Sequence, residues 1–167
     1  MYHYQCTEKM SDEILKQISE NYRKVRNTFR FLLANIDGEN DFTKADLVDV
    51  NTLPALDKYM LIMLADVCEK VKKAYGEYRF ADVTSMLTNL MTNEFSAYYL
   101  DYTKDILYIE KKDSNRRRQV QTVLYYAVDT LVRLWAPILT HTAEEVNDFF
   151  HTEEESFHLG AFPVVPI

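Results

Sequence analysis

Four basic side chains fall within eight consecutive positions of this chain: Arg23, Lys24, Arg26 and Arg30. Arginine carries a planar fork of donors that matches phosphate groups and base edges, so the excess of Arg over Lys favours recognition of an anion or a nucleic acid. At helical spacing Arg23, Arg26 or Asn27, and Arg30 share one face. This stretch is therefore the first candidate binding surface.

The structural alternative is a solvated helix face whose arginines pair with acids elsewhere. The chain holds 26 Asp and Glu against 19 Lys and Arg, a net charge of −7. Within the basic stretch, however, only Glu20 lies one helical turn from an arginine, Arg23. The negative net charge argues against indiscriminate nucleic-acid binding, which needs a broad positive field. It is compatible with a local basic groove of modest affinity.

A second basic cluster, three arginines at 116–118, is followed one turn later by Gln121. We predict that it opens a helix, where each cation opposes the helix dipole at a cost of roughly a few tenths of a kcal/mol. Two explanations remain open. Hydrogen bonds to Asp113 or Glu110 would offset the cost, and so would a phosphate bound at the helix N-terminus.

No group of residues has the spacing of a catalytic or metal centre. Cys6 and Cys68 are isolated and the four His residues form no HExxH motif, so we expect no metal site. Ser, Thr and His occur without a nucleophile elbow or triad spacing. Glu144 and Glu145 are adjacent, and we assign Glu145 to a capping box that begins at Thr142. Binding is therefore expected rather than catalysis.

The composition favours a cytoplasmic protein. Isolated cysteines do not make a disulfide framework, which indicates a reducing compartment. No apolar run approaches the ~20 residues of a membrane span, and the first residues lack the apolar core of a signal peptide. We expect neither a membrane nor DNA as a partner.

Helical periodicity dominates the chain and predicts an all-α fold, a helical bundle of about five helices. The first is expected to begin at Ser11, which would cap it, and to run for roughly 24 residues to Asp37-Gly38. Segment 37–51 is a connecting loop, and 102–110 is either a short helical turn or an extended crossing. The other helices are predicted from Thr52 to Gly76, over 80–99, from Ser114 to Trp135, and over roughly 142–150. The apolar face of the first comprises Ile14, Leu15, Ile18, Tyr22, Val25, Phe29, Leu32, Leu33 and Ile36.

Four segments in this order and spacing resemble the anticodon-binding helical domain of class I isoleucyl-tRNA synthetases. They are YRKVRNTFRFLLANI (22–36), FSAYYLDYTKDILYIE (95–110), RRQVQTVLY (117–125) and LWAPILTHTAEEV (134–146). The valyl and leucyl enzymes are similar but fit less well. The resemblance covers about residues 11 to 163. Asn147 stands where the family usually has Trp, which implies looser packing at that helix end.

The resemblance implies a function in RNA binding. The bundle would follow a Rossmann catalytic domain and contact the anticodon stem-loop of isoleucine tRNA. The parent enzyme would join isoleucine to that tRNA with ATP and Mg²⁺, and would carry an editing domain and a zinc-binding segment. The HIGH and KMSKS motifs do not occur here, since Lys9-Met10-Ser11 is followed by two acids. The chain alone should therefore need no cofactor and should not aminoacylate.

The same resemblance divides the chain into three parts. Residues 1–10 do not match the family and would be an appended or divergent end. Residues 11–150 would form the anticodon-binding bundle. Residues 151–167, which hold two prolines and no helical period, would be an extended tail that leads to the C-terminal region of the parent.

Matched positions also suggest roles for individual residues. The anticodon-loop face would comprise Arg23, Lys24, Arg26, Asn27 and Arg30. A second polar cluster that could face the stem backbone would comprise Arg117, Arg118 and Gln121. Tyr98 and Lys104 lie in a further motif and are candidates for RNA contact, with an ordering role as the alternative, in which Asp101 or Asp105 would bridge to the first helix.

Two other functions remain open from the residues alone. The chain could be a free-standing helical module whose basic face binds an acidic partner. It could also be a non-catalytic paralogue that kept the bundle and lost the chemistry.

Overall fold

The protein is all-α in the computed structural model, which describes residues 12–37, 42–150 and 162–167. The helices are α1 (Asp12–Ala34), α2 (Ala55–Gly76), α3 (Phe80–Asn89), a π-helix (Leu90–Leu100), α4 (Asp101–Ile109), α5 (Asn115–Trp135) and α6 (Thr140–Phe150). Two 3₁₀ turns, Lys44–Asp46 and Val50–Thr52, lie in the predicted loop after α1. The predicted helical bundle is confirmed.

Helix α1 has 23 residues, close to the predicted length, but its apolar face is only half buried. Val25, Phe29 and Leu32 lie in the core, as expected. By contrast, residues 12–21 are all exposed. The predicted apolar face is therefore core only in its second half. The predicted cap, Ser11, lies outside the described residues.

The third helical rod is longer than predicted, because α3, the π-helix and α4 follow one another without a break over 80–109. Asn89, Leu90, Leu100 and Asp101 all keep right-handed helical dihedral angles at the junctions. The segment 102–110 is thus the end of a helix and not an extended crossing. A π-helix of 11 residues is unusual, since most are single turns that often mark functional sites.

Helix α6 begins at Thr140, so the predicted capping box at Thr142 is wrong. Thr142 lies inside the first turn, and its hydroxyl shares a 2.8 Å hydrogen bond with the Tyr22 hydroxyl of α1. Glu145 pairs with α1 as well, as described below. Tertiary partners have thus replaced the local interaction that the sequence suggested.

Helix α5 forms the centre of the bundle and packs against α1, α2, α4 and α6. Most of its residues from Gln119 onward are buried, including polar Thr122 and Thr130. Thr122 accepts a hydrogen bond from the Val48 backbone N–H at 3.1 Å, which ties the loop after α1 to α5. Phe42 and Leu53 of the same loop are buried beside it.

An ion pair with a fully buried carboxylate joins α2, the π-helix and α5. Asp57 is fully buried and accepts hydrogen bonds from Arg116 and from the Tyr99 hydroxyl, the latter at 2.8 Å. Burial and the adjacent Asp57 carboxylate raise the pKa of Tyr99 well above its usual value, so Tyr99 remains a donor. A second Arg116 nitrogen lies 3.5 Å from the same carboxylate.

Removing Arg116 should destabilise the fold strongly. Arg116→Met would leave the Asp57 carboxylate buried with Tyr99 alone, which costs about 3 kcal/mol in comparable buried pairs. Urea denaturation measures the change. The control is Arg79→Met, because Arg79 also bridges two acids but is exposed, and its loss should cost clearly less. Equal losses in the two variants would contradict the assigned importance of the buried pair.

Helix α2 ends in a Schellman motif with a tyrosine in the position that usually holds glycine. The Arg79 N–H bonds the Ala74 carbonyl at 2.8 Å, and the Tyr78 N–H bonds the Tyr75 carbonyl at 3.1 Å. Tyr78 has φ 58°, and its side chain is 80% exposed. The predicted helix end at Gly76 is confirmed, but the left-handed residue lies two positions later.

At position 78, glycine should be more stable than alanine, because only alanine carries a Cβ into the left-handed region. We expect Tyr78→Gly to exceed Tyr78→Ala by about 1 kcal/mol in the free energy of unfolding. Both variants lose the same ring, so the difference isolates the backbone. At exposed Ala81, in the first turn of α3, the order should reverse, with Ala81→Gly less stable than the parent alanine by up to about 1 kcal/mol. The same order at both positions would contradict the strain at Tyr78.

Candidate nucleic-acid interface

The solvent side of α1 carries the basic residues that the sequence singled out. Arg23, Asn27 and Arg30 are exposed and follow one another at helical spacing, and we call these three the outer face. Lys24 is exposed at one edge of it. Among the described residues, the side chains of these four make no hydrogen bond or ion pair. Their donors are therefore available to a ligand.

Arg26, at the other edge of the outer face, is already paired. One of its nitrogens donates to both carboxylate oxygens of Glu145 in α6, at 2.7 and 2.9 Å. The pair is partly exposed, with 37% of the Arg26 side chain and 46% of the Glu145 side chain accessible. The structural alternative for the basic stretch, pairing with a distant acid, thus holds for Arg26.

A polar groove of about 710 Å³ runs along the Lys24 edge of α1. It separates α1 from the π-helix and α4. Its polar lining is Lys24, Asn27 and Thr28 from α1, Thr92, Asn93 and Ser96 from the π-helix, and Asp101 and Lys104 from α4. Amides, hydroxyls and ammonium groups in one depression can bond to phosphate oxygens and to base edges.

An apolar cleft of about 540 Å³ lies on the opposite edge, between α1, α6 and the loop at 42–44. Arg26 and Arg30 border it, and aromatic rings from α1, the loop after α1, α5 and α6 line it. Phe149 is the most exposed of these rings, at 66%. A cleft of this kind offers stacking surface to a planar group beside two cations.

The second basic cluster has structural partners. Arg116 is held by Asp57 and not by Asp113 or Glu110, the neighbours that the sequence offered. Arg117 donates to the Leu107 carbonyl at 3.2 Å, and burial lowers its pKa. A bound phosphate is not needed to explain why arginines open α5.

Arg118 and Gln121 fasten the loop after α1 to α5. Arg118 lies 3.7 Å from Asp46 and 5.8 Å from the centre of the Phe42 ring. It also donates to Gln121 at 3.1 Å. Gln121 is fully buried and donates to the Asn35 carbonyl at 2.9 Å. The structure therefore gives these two predicted site residues contacts within the bundle.

The remaining two candidates lie on the third rod. Tyr98 is 52% exposed on the π-helix, outside the polar groove and the apolar cleft. Lys104 lines the polar groove and donates to Asp101 at 2.9 Å, a hydrogen bond that raises its pKa. Asp101 pairs with Lys104 of its own helix. The alternative in which Asp101 bridges to α1 is therefore wrong.

A family model described as the anticodon-binding domain of tRNA ligase matches residues 57–167, which include α2 to α6. The chain belongs to this family of anticodon-binding domains. Relatives at about half identity extend the match through α1. The chain is 48% identical over 165 residues to the isoleucine–tRNA ligase of Listeria welshimeri, and 49% identical over 162 residues to that of Bacillus subtilis.

This anticodon-binding domain is a small part of the relatives that it matches. The alignments cover 98% and 96% of the chain but only 18% and 17% of the two ligases. None of its helices, within the described part, is long and apolar enough to cross a membrane. Its described residues also include no group of three or more metal-ligating side chains.

Several groove residues of the anticodon-binding domain were missed by sequence reasoning. Thr92, Asn93 and Ser96 were passed over because the apolar positions around them were assigned to a core helix. They form a polar strip between buried Met91 and Phe95. Such a strip on an otherwise apolar helix was the available signal, but nothing local indicated that it faces α1.

The Arg26–Glu145 pair should contribute little to stability. A double-mutant cycle with Arg26→Gln and Glu145→Gln should give a coupling energy of about 0.2–1 kcal/mol, because both groups are partly exposed. Chemical denaturation of the four proteins measures it. The coupling should shrink in 1 M salt. A coupling above about 2 kcal/mol, unaffected by salt, would contradict this assignment.

Proposed function

We propose that this domain binds the anticodon stem-loop of isoleucine tRNA within an isoleucine–tRNA ligase. The observation that carries the proposal is the outer face of α1, with two arginines and an asparagine whose side chains make no bond to any residue that the structure describes. Family membership supports an RNA ligand, and the relatives named isoleucine–tRNA ligase support the choice of tRNA.

Arg23 and Arg30 would contact phosphates of the anticodon arm. Their spacing along α1 is seven residues, about 10 Å, enough to reach different phosphates of one RNA strand. Lys24 and Asn27 would extend the contact into the polar groove. Phosphate contacts of this kind position an RNA without reading its sequence.

Base recognition would come from the depressions on either side of the outer face. RNA loops present unstacked bases, which proteins read by stacking and by hydrogen bonds to their edges. The amides of Asn27 and Asn93 suit base edges in the polar groove, with Lys104 beside them. Phe149 suits stacking in the apolar cleft.

The proposed RNA surface excludes the whole of the second predicted cluster, Arg117, Arg118 and Gln121. Gln121 is enclosed, and Arg117 and Arg118 spend donors on the bundle, so we assign these three to the fold. Arg26 lies beside Arg30 at this surface, but the charge of Arg26 is already paired with Glu145. Tyr98 stays a candidate because its ring is accessible.

The parent would be a cytoplasmic ligase that attaches isoleucine to its tRNA with ATP and Mg²⁺. Its catalytic, editing and zinc-binding parts would lie in the remainder of the polypeptide, because the chain spans less than a fifth of the length of the relatives. In this arrangement residues 11–150 form the RNA-binding bundle and 151–167 lead to the C-terminal region.

Removing the two outer-face arginines should weaken RNA binding and its salt dependence together. We expect Arg23→Ala/Arg30→Ala to lower affinity for an isoleucine tRNA about tenfold or more at low salt. The plot of log K against log salt should become less steep by about 1–2, because a complex with two fewer phosphate contacts releases fewer counterions when it forms. Fluorescence anisotropy across a salt series measures both quantities.

The matched control is Lys58→Ala/Lys73→Ala, which removes from α2 two exposed charges that pair with no acid in the described part of the chain. It should change the salt slope by clearly less than the α1 variant. Unchanged affinity in a folded Arg23→Ala/Arg30→Ala variant would overturn the assigned surface. Equal binding of isoleucine tRNA, valine tRNA and heparin would overturn the tRNA ligand and favour a general acidic partner.

A further inference from the structure

The polar groove beside α1 is lined by hydrogen-bond acceptors from each of its three walls. Thr28 of α1 donates its hydroxyl hydrogen to the Lys24 carbonyl at 2.9 Å. Thr92 of the π-helix donates its hydroxyl hydrogen to the Thr88 carbonyl at 2.8 Å. A hydroxyl has only one hydrogen, so these two oxygens can offer a ligand lone pairs alone. The third acceptor is the carboxylate of Asp101, at the start of α4.

The Asp101 carboxylate can accept further hydrogen bonds although it is already in an ion pair. Lys104 donates to one of its oxygens at 2.9 Å, and 68% of the Asp101 side chain is still accessible. An ionised carboxylate has about four lone-pair sites, so the Lys104 ammonium group satisfies only one of them. A ligand in the groove therefore meets a charged acceptor with an ammonium donor beside it.

These acceptors are unsuited to phosphate and suited to a ribose. The oxygens of a phosphodiester carry no hydrogen, so they cannot bond to the hydroxyl oxygens of Thr28 and Thr92. The Asp101 carboxylate repels them as a like charge. A ribose 2′-hydroxyl is both a donor and an acceptor. It can therefore donate to any of the three oxygens, and beside Asp101 it can also accept from Lys104.

We propose that the polar groove binds 2′-hydroxyls of the RNA strand whose phosphates lie on the outer face. The proposal rests on the RNA-binding function proposed above. Riboses and phosphates alternate along a strand, so phosphates held by Arg23 and Arg30 bring riboses to the adjoining Lys24 edge of α1. The minor groove of an RNA stem displays 2′-hydroxyls beside base edges. The amides of Asn27 and Asn93 can thus bond to base edges in the same groove.

Binding of riboses in the groove would let the domain distinguish RNA from DNA. DNA has no 2′-hydroxyl, so it would cover the three acceptors without giving them a donor. An acceptor that is removed from water and left without a partner is unfavourable by the full desolvation penalty of that group. The arginines of the outer face cannot make this distinction, because RNA and DNA carry the same phosphates.

Binding of two anticodon stem-loops to the full polypeptide that contains this chain tests the proposal. One is unmodified RNA with the sequence of an isoleucine tRNA, and the other carries fluorine in place of each 2′-hydroxyl. The fluorinated RNA keeps its phosphates and the ribose conformation of RNA, but its 2′ position cannot donate. We expect it to bind about tenfold more weakly, because each lost hydrogen bond lowers affinity roughly two- to tenfold. Fluorescence anisotropy measures both affinities.

A pair of matched double variants locates the contact. Thr92→Val/Asp101→Ala removes two of the groove acceptors, so the ratio of the two affinities should fall to about threefold or less. The control is Thr84→Val/Asp66→Ala. Thr84 also donates to a carbonyl of its own helix, and Asp66 also pairs with a lysine one turn away. Neither control position lines the groove, so the ratio should stay near that of the unsubstituted polypeptide.

A merely structural role of Thr92 and Asp101 predicts a different result. Loss of folded protein lowers both affinities by the same factor and leaves their ratio unchanged. Removal of a carboxylate that only repels phosphates strengthens the binding of both RNAs and also leaves the ratio unchanged. An unchanged ratio in Thr92→Val/Asp101→Ala would therefore overturn the proposal, whatever happens to the affinities themselves.

The two RNAs also separate this proposal from the function on which it rests. Equal binding of both by the unsubstituted polypeptide would overturn the ribose contact and assign the groove acceptors to amino groups of bases. That result would leave the RNA-binding function intact. No binding of the unmodified RNA would overturn the function and the ribose contact together.

Discussion

The buried carboxylate of Asp57 is the constraint on which the bundle depends. A fully buried charge is tolerated only with partners, and these come from the π-helix, as Tyr99, and from the start of α5, as Arg116. The three elements are thereby held in one register. Because Tyr99 points inward to Asp57, the neighbouring polar residues Asn93 and Ser96 of the π-helix are left to line the groove.

The arginines fall into two classes according to the partners that the fold gives them. Arg116, Arg117 and Arg118 bond to carboxylates, carbonyls and an aromatic ring within the fold. Arg23 and Arg30 have the same side chain and no such partner within the described ranges. An arginine that already bonds within the protein must give up those hydrogen bonds to bind a phosphate. A solvated arginine exchanges only hydrogen bonds to water. The candidate surface follows from this difference in partners.

Helix α1 has two sides that meet different surroundings. Its inner side packs into the core through Val25, Phe29 and Leu32. Its outer face presents donors to solvent. Because the inner side anchors α1 in the bundle, the helix holds the residues of the outer face at fixed relative positions, which is what a binding surface requires.

Helix content and the outer face were predictable because both follow from local spacing. Residues three and four apart share a side of any helix, so the apolar periodicity and the run from Arg23 to Arg30 needed no tertiary information. Which charges meet could not be predicted in this way. Arg26 and Glu145 are 119 positions apart, and Asp57 and Arg116 are 59 apart. Contacts of that kind exist only after the helices pack. They give Arg26, Arg118 and Gln121 partners within the bundle, whereas the side chains of Arg23 and Arg30 have none among the described residues.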